Sequence, residues 1–541
     1  MSLLWSDAFG LNLESLLSLN RRTPPKRLDR REFLTGAALL GTLASAGGLT
    51  LSGCAVSDDS APLSGNTLKL GMSGGASSDS LDPRTYMDMV PICIGYQLMN
   101  GLVEIGDGGE PTPELFSSWE PNSDAREWIF NIRQDVVFHN GKTLDADDVI
   151  YSVNLHRGNT TSASKVAVEN IRDIKKLDAH RVQISLDGGD ADLPSTLADY
   201  RLLVVPKDFS DWANPIGTGG YKLQHFEAGV RCITVKAGDY WKPNAAHVDA
   251  IELLVINDSM ARINALISSQ VDIINRIDGR TADLLKRNKK LQVVRSQTGQ
   301  HAILAMNCTA DPYADNDIRL ALKYAVDRDR LLKTLLNGYG LVGNDQPIGR
   351  GNPYYAAEIP QHTYDPDKAR YHLQRANRTS LEVELKVSEA AFSGAVDAGV
   401  LFQSSAAGCG IKVNVKREPV DGYWSNVWVK APFYASFSDG RTTVDAALSK
   451  AYKSTSATND TTWHRPDFDQ LANTARGTLD PVRRKEMYAE CQRLICEEGG
   501  AIIPMFIDHI EAGTTRVQGW KPSAIFELMG LRIGEKVWLS S

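Results

Sequence analysis

The sequence lacks the features that mark several large classes of protein. Its 541 residues carry 59 basic and 66 acidic side chains, so it has no basic excess of the kind that phosphate-backbone binding requires. After the N-terminal region, no stretch approaches the roughly 18 consecutive apolar residues of a membrane-spanning helix. The chain is too long for one core. We therefore expect a globular protein of two or three domains that does not bind nucleic acid.

Cysteine is scarce, and no two cysteines form a C-x-x-C pair. The seven cysteines therefore do not predict a zinc ribbon or a thioredoxin-like redox site. Cys491 and Cys496 are five apart on a predicted helix and fall on different faces of it. Disulfides are possible outside the cytoplasm, but the sequence does not give their pairing. Buried free thiols are the default expectation.

Motifs of catalysis are also missing. The sequence contains no G-x-S-x-G nucleophile elbow, no H-E-x-x-H helix and no Walker loop, and its ten histidines are scattered. The segment Gly217 to Gly219 lacks the lysine and the helix of a phosphate-binding loop. The acidic pair Asp147 and Asp148 is better explained by the start of a helix than by acid–base catalysis. We therefore expect no enzyme, no cofactor and no metal site.

Two motifs near the N-terminus predict export. Residues 30–34, Arg-Arg-Glu-Phe-Leu, resemble the twin-arginine motif of the pathway that exports folded proteins. A short run rich in Gly and Ala follows, and it ends at Leu-Ser-Gly-Cys54, which resembles a bacterial lipobox. In a lipobox the cysteine becomes lipidated and the residues before it are removed.

These motifs divide the N-terminal region. Residues 1–53 are interpreted as a signal peptide, and residues 54–65, rich in Ser, Asp, Pro and Gly, as a flexible tether. Cys54 would then anchor the protein to the membrane through its lipid. Two alternatives remain open: cleavage after Ala46, which would release the protein without an anchor, and a buried Gly/Ala-rich helix.

The rest of the chain mixes strand and helix patterns. Residues 127–133 alternate apolar and polar side chains, which predicts a half-buried strand. Asp145 is placed to cap a helix, with two carboxylates in its first turn. Asp365-Pro366 and Asp480-Pro481 each predict a helix start with an acidic cap and proline at the first helical position. Strands and helices in this mixed order predict an α/β chain.

Several blocks of sequence, in a fixed order, resemble a known family. The block from Trp119 to Arg157 is similar to the signature of bacterial extracellular solute-binding proteins of family 5, the dipeptide and oligopeptide binders. Gly220 stands where the family's G-T-G-P-Y loop usually has proline. The other similar blocks are Pro215–Lys222, Gly238–Trp241, Asn316–Arg328, Tyr364–Ala369 and Arg484–Pro504.

The resemblance implies a two-lobed α/β fold of the periplasmic-binding-protein type with a hinge. The first lobe is placed at 66–300 and resumes at 505–541, and the second at 301–504. It also implies that the ligand sits in the cleft and is enclosed when the lobes close. A permease in the inner membrane would then receive it. We expect a monomer in the periplasm, held near the transporter by its lipid.

The resemblance also suggests which residues hold the ligand. In the family's peptide binders, an Asp after an aromatic residue holds the ligand's ammonium group, and the corresponding stretch begins at Phe437, where Trp is usual. Asp439 would pair with an ammonium group, and Arg441 would bind a carboxylate through two parallel hydrogen bonds. The alternative is that both are exposed loop charges, either free or paired with each other.

Aromatic residues supply candidate walls for the cleft, because their rings are rigid and amphipathic. Trp424 and Trp463 are chosen because they lie in polar, loop-like surroundings, and Tyr86 is a third candidate. The general expectation for any single Trp in a chain of this size is a place in the core.

The main hypothesis is therefore a lipid-anchored receptor that delivers a short peptide, or a peptide-like amino compound, to an ABC importer. A second hypothesis keeps the fold and changes the ligand to an opine, a sugar oligomer or a metal chelate. A third is an exported hydrolase.

Overall fold

The computed structural model describes residues 66–441 and 443–540. The twin-arginine motif, the lipobox with Cys54 and the predicted tether lie outside these residues. Within them the chain is a mixed α/β protein, which confirms the predicted class. No helix in that part of the chain is both long and apolar enough to cross a membrane.

A seven-stranded sheet gathers strands from both ends of the described chain. Its central strand, Thr67–Met72, pairs in parallel with Ala250–Val255 and with Ile273–Ile274. Near the C-terminus, His509–Thr514 pairs antiparallel with Leu291–Ser296. This first sheet has the order Leu291–Ser296, His509–Thr514, Ile273–Ile274, Thr67–Met72, Ala250–Val255, Arg231–Lys236, Tyr221–Glu227.

A second seven-stranded sheet is built around His301–Met306. This strand is buried along its whole length and pairs antiparallel with Phe433–Ser438. The sheet has the order Gly340–Val342, Met505–Ile507, His301–Met306, Phe433–Ser438, Leu381–Val387, Ile411–Arg417, with Ala501–Ile502 also paired to His301–Met306. Each of the two large sheets packs against its own apolar cluster, so the chain has two separate main cores.

The strands of a smaller antiparallel sheet lie, in sequence, between the first strand of the first sheet and its remaining strands. Its order is Phe116–Pro121, Glu127–Ile132, Arg181–Leu186, Ile171–Asp178. Trp128, Phe130 and Ile132 are buried in a core of their own, as the alternating pattern predicted. Two short pairs complete the strands: Val103–Ile105 with Pro111–Pro113, and Val517–Gln518 with Trp538–Leu539.

Helices occur in both halves of the chain. In the first half they are Met89–Leu98, Ala146–Asn154, Leu193–Thr196, Ser259–Ile267 and Gly279–Leu285, with a 3₁₀ turn at Pro83–Thr85. In the second half they are Asn316–Tyr324, Arg328–Leu336, Pro366–Arg375, Ala395–Ala407, Tyr423–Asn426, Val444–Ala451, Pro466–Gly477, Pro481–Glu498, Glu527–Gly530 and Ile533–Lys536.

Helix starts follow the acidic signals in the sequence. The Asp145 carboxylate accepts hydrogen bonds from the N–H groups of Asp147 at 2.9 Å and Asp148 at 3.3 Å. The Asp148 carboxylate accepts in return from the N–H of Asp145 at 3.0 Å, which completes a capping box. Asp365 and Asp480 also cap their proline-led helices, each by accepting at least one hydrogen bond from a backbone N–H group of the first turn. All three predicted helix starts are confirmed.

The six cysteines of the described chain are free thiols. Five of them are buried, and Cys308 is partly exposed. Burial raises the pKa of the Cys491 and Cys496 thiols to about 12, so they stay protonated and unreactive at neutral pH. The default expectation of buried thiols is confirmed for these five.

The chain passes between the two large sheets at two neighbouring places. Leu291–Ser296 belongs to the first sheet and His301–Met306 to the second, so one passage spans residues 297–300. The other is Asp508, which separates Met505–Ile507 from His509–Thr514. The second sheet thus continues beyond the expected boundary at 504. An ion pair between Arg295 and Asp508 joins the second passage to the strand that leads into the first.

The small sheet also contacts the second half of the chain, through the segment that follows it. The Asp192 carboxylate accepts a hydrogen bond from Arg484 at 3.1 Å, and the N–H of Ala191 donates to the carbonyl of Arg476 at 2.7 Å. Asp190 lies buried beside this contact. Burial, followed by the carboxylates of Asp192 and Asp445, raises the pKa of Asp190 to about 7.

Replacing Asp190 with Asn should change how stability depends on pH. Because folding raises the pKa of Asp190 from the ordinary 3.8 of an aspartate, its contribution is fully present below about pH 4 and is lost as pH rises towards 7. In Asp190→Asn this loss is absent. Relative to that of the wild type, the free energy of unfolding of the variant should rise by up to about 1.4 kcal/mol for each pH unit in that window. Urea unfolding at pH 4 to 8 measures it.

The matched control is Asp187→Asn, which changes an exposed carboxylate three residues away. Its difference from the wild type should not vary with pH. Parallel curves for Asp190→Asn and the wild type would show that Asp190 ionises normally in the folded protein.

Candidate functional site

A cavity of about 340 Å³ lies at the end of the strand Phe433–Ser438 in the second half of the chain. Its wall includes aromatic, acidic and basic side chains, among them His301, Trp424, Phe437, Asp439, Arg441 and Asp460. A narrower space shares Ser438 and Arg441 with it and is also lined by Gly109, Ala524 and Ile525. Gly109 lies between the paired strands Val103–Ile105 and Pro111–Pro113, and Ala524 and Ile525 follow the strand Val517–Gln518. The cavity therefore opens towards the place where the two halves of the chain face each other.

Asp439 and Arg441 lie together in the wall of this cavity. Both follow directly on a strand of the second sheet, and both side chains are exposed. Neither forms an ion pair with the other or with another residue in the described part of the chain. Their exposure agrees with the alternative that both are charges of an exposed loop, but Asp439 and Arg441 do not pair with each other. Two opposite charges without partners thus face one space.

A close backbone contact fixes the position of this loop. Gly440 has φ of +77°, and a Cβ atom there would lie 2.8 Å from the carbonyl carbon of Gly299. Only glycine takes such a φ without strain and leaves room for the backbone opposite. Gly299 belongs to the passage between the two sheets. The loop that carries Asp439 and Arg441 is therefore held against the segment at which the two halves of the chain join.

Trp424 forms part of an aromatic wall. Its ring centroid lies 5.9 Å from that of Trp428 and 5.8 Å from that of Phe437, and 38% of the side chain is exposed. All three rings line the cavity. The structure thus brings Trp424 together with Asp439 and Arg441, three of the residues chosen from the sequence.

Trp463 and Tyr86 lie elsewhere. Trp463 is 6% exposed and packs against Phe468 with ring centroids 5.1 Å apart in the core of the second sheet. Tyr86 is fully buried in the core of the first sheet, where its hydroxyl donates to the carbonyl of Leu81 at 3.1 Å. Neither side chain belongs to the cavity wall. Their surroundings in sequence are polar, but packing in the two cores buries both rings.

Three polar residues of the wall were not anticipated. His301 begins a strand that is otherwise apolar, so a polar side chain at its end was a usable signal. Asp460 sits in a Thr-Asn-Asp-Thr run that indicates only a loop. Lys450 ends a short helix, where a cation is common. Burial and then the charge of Arg441 lower the pKa of Lys450.

The buried end of the cavity is defined by Asp460. Its Oδ1 accepts hydrogen bonds from Trp428 Nε1 at 2.6 Å and from Ser436 Oγ at 3.0 Å. Burial raises the pKa of Asp460, because taking a carboxylate out of water disfavours its charged form. These two donors oppose that shift.

A metal centre is not indicated for the described residues: no group of three or more His, Cys, Asp or Glu side chains in them could hold an ion. The cavity instead offers unpaired charges of both signs, hydrogen-bonding groups and aromatic faces. This is the chemistry of reversible binding of a small polar molecule.

Comparison with known proteins agrees with this chemistry. The described fold resembles that of a periplasmic binding protein associated with an ABC transporter, DppA from Helicobacter pylori, solved with the peptide STSA: TM-score 0.71, 20% identity, 88% of this chain and 98% of that one. A second similar structure is AgaA from A. tumefaciens R10 with agropinic acid: TM-score 0.70, 24% identity, 88% and 99% coverage. At such identities the likeness shows the fold, and it confirms the two-lobed periplasmic-binding-protein class.

The sequence comparisons give the family. The dipeptide-binding protein of Escherichia coli K12 is 24% identical over 467 residues, which are 78% of this chain and 86% of that protein. Fold and cavity define a solute-binding protein. The model of the family described as bacterial extracellular solute-binding proteins, family 5 Middle, matches residues 110–462, and the chain belongs to this family. Membership of this family makes it an extracellular solute-binding protein.

Gly440→Ala should disturb the loop of Asp439 and Arg441. The added Cβ meets the Gly299 backbone, which cannot move aside as a side chain can, and we expect a cost of about 1–3 kcal/mol beyond the strain of positive φ. Gly238→Ala is the matched control, because Gly238 has φ of +85° with nothing within 4 Å of a Cβ. Chemical unfolding should show the larger loss for Gly440→Ala. Equal losses would mean that the close approach does not constrain the loop.

Proposed function

We propose that the protein captures a short peptide, or a peptide-like amino compound, and delivers it unchanged to the permease. The observation that carries this proposal is the pair of unpartnered opposite charges, Asp439 and Arg441, in one cavity wall. A zwitterion presents the complementary pair. Relatives named for dipeptides and the structure with the peptide STSA support the same ligand class.

The two charges have distinct roles in this proposal. Asp439 accepts hydrogen bonds from the ligand's ammonium group. Arg441 presents a planar fork of N–H donors that matches a carboxylate. Lys450, in the same wall, adds a second positive charge near Arg441. Because a ligand that lacks either terminal charge leaves one of these groups unmatched, the site rejects it.

The size and walls of the cavity favour a small ligand. A volume of about 340 Å³ lies at the low end of the range of roughly 300–1,000 Å³ for ligand pockets. The faces of Trp424, Trp428 and Phe437 bury apolar parts of the ligand at little cost in conformational entropy. This suits a peptide of two or three residues better than a long one.

An opine is the second candidate, because it also carries amino and carboxylate groups and AgaA is solved with agropinic acid. Sugar oligomers and metal chelates match the paired charges less well. We propose no catalysis, since the cavity offers binding groups of both signs and the family is one of solute binders. Hydrolysis of an ester or peptide, abolished by changing one Ser or His, would instead favour an exported hydrolase.

We also propose that the protein is exported by the twin-arginine route and anchored through a lipid on Cys54. The sequence motifs at 30–34 and 51–54 support this proposal. A tethered receptor stays near its permease, which raises the effective concentration of loaded protein there. Its folded body would work as a monomer.

A panel of dipeptides and opines should identify the ligand class by its effect on thermal stability. A ligand at 100 times its Kd adds about 2.7 kcal/mol to the free energy of unfolding, a readily measured rise in Tm. Dipeptides should raise Tm, and Asp439→Ala should weaken this effect at least tenfold in Kd without lowering the Tm of the free protein. Unchanged affinity in Asp439→Ala would show that this residue does not bind the ligand's ammonium group. Stabilisation by opines alone would favour the second candidate.

Palmitate labelling tests the anchor. Cells that express the protein should incorporate labelled palmitate into it, and Cys54→Ser should abolish the label because the acylated atom is gone. Changing Arg30 and Arg31 to Lys should block export of the chain without affecting its binding in vitro. A soluble, unlabelled mature protein would support cleavage after Ala46 instead.

A further inference from the structure

Beyond the terminal charges, the cavity wall holds two hydrogen-bond acceptors that have no partner in the described residues. They are the Nε2 atom of His301, which is buried, and the Oδ2 atom of Asp460. The side chains are 2% and 8% exposed, and both belong to the cavity wall. A buried polar group without a partner costs free energy in the empty protein, so its presence requires a reason.

The protonation state of His301 follows from its other ring nitrogen. Nδ1 lies 2.8 Å from the carbonyl oxygen of Gly299, and a carbonyl only accepts, so Nδ1 carries the hydrogen. Burial lowers the pKa of His301 to about 4, which keeps the ring neutral at pH 7. Nε2 is therefore a lone pair, and it makes no hydrogen bond within the described residues. It can only accept from a ligand's N–H or O–H.

Asp460 is satisfied on one oxygen only. Trp428 and Ser436 both donate to Oδ1, and no donor of the described chain reaches Oδ2. The carboxylate also forms no ion pair with a Lys, Arg or His in that part of the chain. The charge of Lys450 acts on this carboxylate without reaching ion-pair distance. A buried carboxylate without a directly paired counter-ion is unusual, since burial disfavours the charge unless a cation pairs with it. A cation from outside the chain would supply what is missing.

Strand pairing places the two acceptors on one side of the sheet. His301 lies opposite Ser438 and Ile303 opposite Ser436 in the antiparallel register, so these four side chains share a face. Ser436 donates a hydrogen bond to Asp460, and it is two residues along its strand from Ser438, which lies opposite His301. The carboxylate and the imidazole are therefore neighbours on this face. An aromatic face stands beside them, because Trp428 donates to Asp460 and contacts Trp424. Carboxylate, neutral imidazole and indole together form a site for a cation with several N–H donors.

The other charges of the wall differ from these two groups in exposure. Lys450 lies within electrostatic reach of Arg441, Asp439 and Asp460. Arg441 also lines the adjacent narrower space, and Asp439 is two residues away in the same loop. The exposed side of the wall, the mouth of the cavity, therefore carries Asp439 and Arg441, while Asp460 and the neutral His301 form its buried end.

We infer that the buried end of the cavity is a subsite for a cationic nitrogen group of the ligand, an ammonium or a guanidinium. Asp460 Oδ2 and His301 Nε2 accept its hydrogen bonds, and the rings of Trp424 and Trp428 flank it. The inference rests on the proposed function and narrows it: the preferred ligand is a short peptide or amino compound with a basic side chain. The terminal groups stay at the mouth with Asp439 and Arg441.

Calorimetric titration of the full chain with paired dipeptides tests this subsite. Ala-Lys and Ala-norleucine have side chains of the same carbon length and differ by one charged nitrogen. The wild type should bind Ala-Lys at least tenfold more tightly, because the nitrogen pairs with a desolvated carboxylate. Asp460→Asn keeps an oxygen for Trp428 and Ser436, and it should abolish the preference while changing Ala-norleucine binding less than threefold.

Three further variants separate the roles. Asp439→Asn should weaken both dipeptides equally and leave the preference intact, because it acts on the ligand's terminus. Asp421→Asn, at an exposed position outside the cavity wall, should change neither affinity. If Asp460→Asn does not fold, His301→Phe decides the matter, since it fills the space without the acceptor and should reduce the preference at least threefold.

Each outcome bears on a separate claim. Equal wild-type affinity for the two dipeptides would overturn the basic subsite and leave the proposed function standing. Failure to bind any peptide would defeat the proposed function, and agmatine and putrescine then test the subsite alone. Binding of either amine that is lost in Asp460→Asn would support the subsite, and no binding of either would overturn it.

Discussion

The contact between two glycine backbones, at Gly299 and Gly440, is the constraint on which the site depends. Gly299 lies in the passage between the two large sheets, and Gly440 lies in the loop that carries the paired charges. A backbone contact cannot relax by rotating a side chain, so the loop cannot shift independently of the passage. The Arg295–Asp508 ion pair joins the second passage to the strand that leads into the first. The loop of the paired charges is therefore positioned by the segments that connect the two sheets.

Local features of this fold could be predicted from sequence because their causes are local. An acidic residue before a proline caps a helix whatever surrounds it, and Asp365 and Asp480 do so here. Alternation over 127–133 gave a strand with Trp128 and Phe130 buried, because one face of a two-sided sheet must meet the core. The two-lobed arrangement came from resemblance alone, since which strand pairs with which depends on contacts distant in sequence.

The site was predictable where a loop follows directly on a strand, and not where distant segments assemble it. Asp439 and Arg441 share a wall because they share a loop. The polar neighbours of Trp463 in the sequence suggested a place in the cleft. Its ring instead packs on Phe468, in a helix that begins three residues later. Asp460 could not have been found, since its significance comes from Trp428 and Ser436, each more than twenty residues away.

The unsatisfied groups also explain why binding and lobe closure can be coupled. In the empty protein Nε2 of His301 is buried without a partner and Asp460 is hydrogen-bonded on one oxygen only, which raises the free energy of the enclosed state relative to one in which water reaches both groups. A ligand that donates to both removes this penalty only when the cavity is closed around it. The equilibrium then shifts towards the closed form by the difference in affinity between the two states. A ligand without donors would enter the same cavity but leave the penalty in place, and so would close the lobes less. Selectivity for ligand chemistry and the signal that the permease receives can thus arise from the same two atoms.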